Sequence, residues 1–219
     1  MKPIKPLISA QNLAHSFDYP LFEGVSIEVH SGESVAVMGV SGSGKSTLLH
    51  ALSTFLAPQK GRVDLLDFDD IYSLKSAAIT RLRRDFVGLI FQQHYLFRGF
   101  SAMDNLMVSS LLCQEQIDYS VLERLGISHI LNQDAMSLSG GQQQRLSIAR
   151  VLVKKPKLLF ADEPTGNLDR ASADETASIL FDYAREINGA FFLVTHDEAI
   201  AKKADRCYRM ENGKLTRHL

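Results

Sequence analysis

The stretch Gly39-Val40-Ser41-Gly42-Ser43-Gly44-Lys45-Ser46-Thr47 restricts this chain more than any other. It fits G-x-x-x-x-G-K-[ST], a loop that wraps the phosphates of a nucleotide. A triphosphate is a dense anion and must be surrounded by donors. Gly39, Gly42 and Gly44 let the backbone take conformations closed to other residues, so that main-chain N–H groups along the loop, Ser41 and Ser43 included, reach phosphate oxygens. Lys45 adds a point charge for the β- and γ-phosphates, and the Ser46 hydroxyl is the hard oxygen that Mg2+ accepts. Thr47 carries the loop into a helix whose N-terminus favours an anion. The flanks agree: 34–38 is an apolar run of strand type, and 46–56 is helix-like with leucines at 48, 49, 52 and 56. Strand, glycine loop and helix are the setting such a loop requires. A Gly/Ser-rich surface turn would need neither the Lys-Ser pair nor those flanks.

The 219 residues, 45% hydrophobic and 22% charged, suffice for one sizeable core. A formal net charge of −1 gives no global basic field for nucleic acid. Cys113 and Cys207 stand far apart without metal-type spacing, so a reducing compartment is a simpler expectation than a disulfide. The N-terminal Met1-Lys2-Pro3-Ile4-Lys5-Pro6-Leu7 is charged but leads into no apolar region. No segment approaches the roughly 18 uncharged apolar residues of a spanning helix. Neither a signal peptide nor a membrane span is expected, and any membrane role must come through a partner.

Strands are expected at 8–13 and 25–29, around a loop holding Phe17, Tyr19 and Pro20. Further strands are expected at 62–66, 87–91, 157–161 and 190–195, with a hairpin of 207–210 and 215–217 closing the chain. Helices are expected at 77–84, 103–112, 119–125, 139–153, 170–187 and 197–204. Strands alternating with helices imply a mainly parallel sheet. Between 93 and 153 the pattern is helical and polar without a convincing strand. This predicts a helical subdomain (93–153) inserted into a core of 1–92 and 154–219.

Two further constellations carry chemistry. Leu158-Leu159-Phe160-Ala161-Asp162-Glu163 is a buried strand ending in adjacent carboxylates, which are costly there unless a cation or polar ligand meets them. Asp162 suits support of Mg2+. Glu163, pointing differently, could take a proton from an attacking water. A strand running into a solvated acidic turn is the plainer alternative, and the glycine loop argues against it. The second constellation, Leu138-Ser139-Gly140-Gly141-Gln142, opens a helix. Ser139 and Gln142 form a capping box. Gly140 and Gly141 would each cost about 1 kcal/mol relative to Ala inside a helix. In the first turn they instead bare N–H groups to an approaching anion.

Leu138 to Gln142 spell LSGGQ, and with the phosphate loop and Asp162-Glu163 at their separations the chain resembles the ATP-binding cassette (ABC) ATPases over nearly its whole length. The resemblance implies the ABC ATPase fold: an α/β, P-loop NTPase (RecA-like) core with a mainly parallel sheet, an N-terminal antiparallel β-subdomain and an inserted α-helical subdomain. It implies that Phe17 stacks on adenine, where Tyr is commoner. Gln92 would touch Mg2+ and the attacking water, Asp169 in Pro164-Thr165-Gly166-Asn167-Leu168-Asp169 would match the D-loop, and His196 would contact the γ-phosphate. The other six histidines show no metal spacing, and no chemistry is assigned to them. With Glu163 and His196 both present, the resemblance implies hydrolysis of MgATP by a head-to-tail dimer of this chain. Ser139, Gly140, Gly141 and Gln142 of one copy would close over the phosphate loop of the other.

The wording of 161–169 is similar to the branch that holds Lol-type lipoprotein-releasing ATPases, MacB-type exporters and the FtsE division ATPase, and that of 82–84, 88–92, 94–97, 100–106, 195–197 and 211–215 most resembles the Lol type. That likeness implies a peripheral subunit on the cytoplasmic face of the inner membrane. It would drive a separate permease docked in a groove near Gln92 to Phe100, for lipoprotein release or, alternatively, for MacB-like export or an FtsE-like division complex. The aromatics His94, Tyr95, Phe97 and Phe100 could equally be subdomain core. A small-molecule kinase is disfavoured by LSGGQ and the Asp-Glu pair. A nucleic-acid-acting relative is disfavoured by the absence of a basic face, coiled coil or tandem cassette.

Overall fold

A computed structural model describes residues 5–218; residues 1–4, part of the charged N-terminal stretch, and residue 219 lie outside the described residues. The chain begins with β1 (Ile8–Ser16) and β2 (Pro20–Val29), which pair antiparallel. β4 (Lys60–Leu65) joins the other edge of β1, giving a three-stranded sheet of order β2-β1-β4. Both N-terminal strands run further than expected, and the anticipated loop shrinks to a turn in which Phe17 N donates to Tyr19 O (3.2 Å). The register shifts after Ala10, and Asn12 takes a left-handed φ of 52° with its N–H donating to Ser26 Oγ. These bulges break the two-residue alternation that marks a strand in sequence.

The second sheet has six strands in the order β5-β6-β7-β3-β8-β9. These are β3 (Ser34–Met38), β5 (Val87–Ile90), β6 (Leu158–Asp162), β7 (Ala190–Val194), β8 (Arg206–Glu211) and β9 (Lys214–Arg217). The first five are parallel; β9 returns antiparallel to β8 across Asn212-Gly213, both at positive φ, the turn that an Asn-Gly pair favours. Every residue of β3, β6 and β7 is buried. That is the signature of parallel strands covered on both faces.

Alternate side chains serve two packing groups. Val35, Val37, Phe160 and Phe192 meet α1 (Lys45–Leu52) and the three-stranded sheet. Ala36, Met38, Leu159, Phe191 and Leu193 meet the helices on the opposite face. Those helices include α5 (Gly140–Leu152) and α6 (Arg170–Glu186), which contribute Leu146 and Leu180. The chain also forms α2 (Ser76–Asp85), α3 (Ala102–Cys113), α4 (Tyr119–Arg124) and α7 (Glu198–Ala201). α3, α4 and α5 fall between β5 and β6 in the chain. Their Leu106, Leu122 and Ile148 share the second packing group with the sheet. The architecture is therefore the expected α/β one: a mainly parallel sheet, an antiparallel β-subdomain and helices.

Two helices are shorter than their sequence pattern. α1 stops at Leu52 instead of running to 56. Thr54 is left-handed at φ 72°, and the N–H groups of Phe55 and Leu56 turn back to His50 O. Tyr72 Oη lies 2.8 Å from Ala51 O and 2.7 Å from Leu56 O, and Arg83 binds Thr54, so tertiary partners take the carbonyls that a longer helix would have used. α7 gives way after Ala201, where Lys203 and Ala204 donate three residues back instead of four. Among the described residues no helix is long and apolar enough to cross a membrane.

Candidate functional site

The site begins where β3 ends. A Cβ on Gly39 would lie 2.5 Å from Met210 O, so only glycine lets the chain leave the strand there. Gly44, at φ 95°, caps α1. Lys45 is 8% exposed, and its ammonium donates to Gly39 O and Val40 O, 2.8 Å each. One residue on, Ser46 Oγ donates to Asp162 Oδ1 at 3.0 Å. Asp162 is the last residue of β6 and shares the phase of Phe160, which faces α1. Burial, aided by the neighbouring Glu163 charge, pushes its carboxyl above the usual carboxylate range, opposed by the Ser46 hydroxyl, His50 and Lys45.

Glu163 follows at φ 46°, a left-handed conformation that is costly for a residue with a Cβ and that clusters at functional sites. Its carboxylate reaches the end of β7. There Oε2 accepts from Thr195 Oγ1 (3.2 Å) and Oε1 lies 2.9 Å from His196 Nδ1. Thr195 Oγ1 also accepts from Asp197 N, which fixes the hydroxyl between them. The Glu163 side chain is 13% exposed, whereas that of His196 is 72% exposed, so the pair joins an enclosed carboxylate to an imidazole facing solvent.

These groups line one cleft of about 360 Å3. Its polar end holds Ser41, Gly42, Gly44, Lys45, Ser46, Thr47, Gln92, Asp162, Glu163 and His196; Phe17, Tyr19 and Leu21 form the apolar end. The first suits phosphates and the second a flat base. Phe17 is exposed and braced edge-on by His15, ring centroids 4.9 Å apart. Tyr19, equally exposed, and Leu21 join it. In sequence Tyr19 falls in the same loop but carries no role, because the loop expected there is longer than the turn that forms. Gly39 sets the loop from behind, and Ser43 faces an adjoining groove with Tyr19 and Asn212.

Ser139, Gly140, Gly141, Gln142 and Asp169 do not line this cleft. Ser139 Oγ accepts from Gln142 N, and Gln142 Oε1 accepts from Ser139 N, the reciprocal cap at the start of α5. A Cβ on Gly140 would meet nothing within 4 Å; one on Gly141 would lie 3.1 Å from Leu168 Cδ2. Asp169 caps α6 through the N–H groups of Ala171 and Ser172. Along 91–100, Tyr95, Phe97 and Phe100 are exposed, so they are not interior packing, while His94 is partly covered. Phe55, Phe91 and Tyr95 meet edge to face in succession, and the Arg150 guanidinium lies over Phe97 at 5.5 Å.

Ser46 and Asp162 offer two hard oxygens at the edge of the phosphate end. Such a sparse set fits Mg2+, which keeps several waters and takes its remaining ligands from substrate phosphates.

The ABC transporter family model matches residues 22–166. The lipoprotein-releasing system ATP-binding protein LolD of Shewanella frigidimarina is 42% identical over 201 residues, 89% of this chain and 84% of that protein. The LolD of Pseudomonas fluorescens is 36% identical over 222 residues, 96% and 97% of the two chains. Among solved structures, the dimeric bacterial ABC transporter cassette MJ0796 superposes with a TM-score of 0.85 at 29% identity, covering 95% of this chain and 96% of that one. Its dimeric post-hydrolysis state bound to ADP and Pi gives 0.86 at 27% identity with the same coverage.

Proposed function

Since this chain belongs to the ABC transporter family and is one of its ATP-binding, ATP-hydrolysing subunits, we propose that two copies pair head to tail around two MgATP to drive a membrane permease that releases lipoproteins. The observation that carries the site is the arrangement of Glu163. A largely enclosed carboxylate is held by Thr195 and His196 beside the phosphate loop.

In this proposal the loop amides and Lys45 bind the triphosphate, and Phe17 and Tyr19 flank the base. Ser46, Asp162 and Gln92 would hold Mg2+, which supplies charge neutralisation on the phosphate oxygens. Glu163 orients water and takes its proton, and His196 donates to the γ-phosphate oxygens. Phosphoryl transfer depends chiefly on this positioning and electrostatics.

Gly140 supports the pairing. Its own chain leaves room for a side chain there, so its lack of one is explained by something approaching from outside. Closure would move the helical residues 93–153 against the core of 1–92 and 154–219, with Asp169 at the seam between copies. The exposed rings of Phe55, Tyr95, Phe97 and Phe100 offer a permease segment an apolar seat. Lipoprotein release rests on the LolD relatives. In this reading the chain would work at the cytoplasmic face of the inner membrane, seated on its permease.

Glu163→Gln should abolish turnover while ATP traps a dimer; undiminished hydrolysis would remove Glu163 as the base. Chains carrying Ser139→Arg, mixed with Lys45→Ala chains, should regain one working site. Recovery no better than either variant alone counts against a shared site. Purification from detergent extracts should bring down a lipoprotein-releasing permease. A division membrane protein or an exporter in its place would overturn the assigned cargo.

A further inference from the structure

His94 has no chemical role in the hydrolysis proposed for Glu163 and His196, yet its imidazole stands where three segments meet. Asn167 Nδ2 lies 3.4 Å from Gln92 O and 3.2 Å from His94 Nε2. His94 Nδ1 lies 3.2 Å from Gln143 Oε1, and Gln143 Nε2 lies 3.1 Å from Leu138 O. Each end of this chain of contacts is a main-chain carbonyl, which can only accept. The end at Gln92 therefore fixes the nitrogen of the Asn167 amide inward, so His94 Nε2 must accept. The end at Leu138 fixes the Gln143 amide, so Oε1 accepts and His94 Nδ1 must carry the hydrogen. One neutral tautomer satisfies every link, and no other form does. Arg150, donating to His94 O and Tyr95 O, holds the same segment from behind.

The two ends of the chain of contacts serve different nucleotides. Gln92 lines the cleft of its own chain. Leu138 and Gln143 flank the Ser139–Gln142 turn, which lies outside that cleft and, in a head-to-tail pair, meets the ATP of a second copy. Asn167 belongs to the segment between Glu163 and α6. Its neighbour Leu168 also packs beside Gly141.

We propose that His94 is a positioning residue that ties the occupancy of one ATP site to the placement of the turn completing the other. The proposal rests on the head-to-tail reading. It goes beyond it by naming the side chain through which the two sites sense each other.

The test compares the native chain with His94→Leu, which cuts both links, and with Gln143→Met, which cuts the chain of contacts one link further on and leaves residues 92–95 unchanged. Binding of a fluorescent ATP analogue to the single chain should stay within about twofold of native, because neither residue touches the cleft. In steady-state assays kcat should fall roughly tenfold, the scale of one to two neutral hydrogen bonds, and the Hill coefficient for ATP should drop towards one. The double variant should be no worse than His94→Leu alone, as expected for members of one unit. His94→Asn, which can still donate to Gln143, should recover part of the loss. Native kcat and Hill coefficient in both single variants overturn the proposal. So does a kcat loss matched by equal losses of analogue binding and melting temperature, which marks a merely structural role. The two readings fail separately. If ATP does not pair Glu163→Gln chains, the head-to-tail reading falls. If it does and His94→Leu behaves as native, only the role of His94 falls.

Discussion

Gly140→Ala separates stability from activity at a single atom. Gly140 is the first residue of α5, it is not among the glycines at positive φ, and an added Cβ meets nothing within 4 Å. Its own chain should therefore gain from the change. Ala in place of Gly at a backbone position that Ala can adopt restricts the unfolded chain and stabilises by about 0.4–1 kcal/mol. For a chain of this length that raises the melting temperature by about 1–4 °C. In the proposed head-to-tail pair the shared site should lose. An extra methyl where the partner's phosphate must approach pushes one N–H donor out of reach, and loss of a single such donor lowers kcat by on the order of 10². Thermal melting without nucleotide and steady-state phosphate release read the two effects independently. Native kcat in a stabilised Gly140→Ala chain would refute the idea that this turn closes on a second copy's phosphates. A lowered melting temperature would refute the packing argument. Gly141→Ala is the control: its Cβ would press on Leu168 at 3.1 Å, so the stability gain should shrink or vanish.

Other residues give separate tests. Asp162 has a folded-state carboxyl value above its unfolded one, so between the two values the folded chain binds more protons, and stability falls as pH rises through that window. Asp162→Asn should abolish that fall, melt higher than the native chain at pH 7 without nucleotide, and lose Mg2+-dependent turnover; a melting series against pH checks the sign. Tyr72→Phe removes the hydroxyl that meets the carbonyls after α1 and should cost about 1 kcal/mol, or roughly 2–4 °C in melting temperature. Phe17→Ala should raise the KM for ATP roughly tenfold through lost base stacking. Tyr19→Ala should do less, and the reverse order would make Tyr19 the stacking ring.

The phosphate loop, the strand ending in Asp162-Glu163 and the LSGGQ turn were legible because each needs particular residue types at fixed spacing. The strands β3, β6 and β7 were legible for a different reason: burial on both faces makes them continuous apolar runs. What escaped the sequence was settled by contacts distant along the chain. α1 ends early because Tyr72 and Arg83, far downstream, bind the carbonyls beyond it. The β1–β2 turn is tight because bulges at Asn12 and beyond absorb the irregular pattern. Thr195 and Asn167 take their meaning from groups on other strands and loops. In sequence His94 is one aromatic among Tyr95, Phe97 and Phe100; its place depends on Asn167 and Gln143, which face its two ring nitrogens from distant segments.

The six-stranded sheet divides the interior so that sequence neighbours belong to unconnected surroundings. Leu159 and Phe160 are adjacent, yet one packs with the α5 and α6 side and the other with α1. Phe160 and Phe192, on different strands, share a ring contact at 6.3 Å. Energetic coupling follows shared partners rather than chain order. Paired substitutions at 160 and 192 should thus be non-additive through their shared ring contact, whereas those at 159 and 160 couple only through the backbone they share. Side chains on the α5 and α6 face can therefore change without disturbing the packing around α1 beneath the phosphate loop.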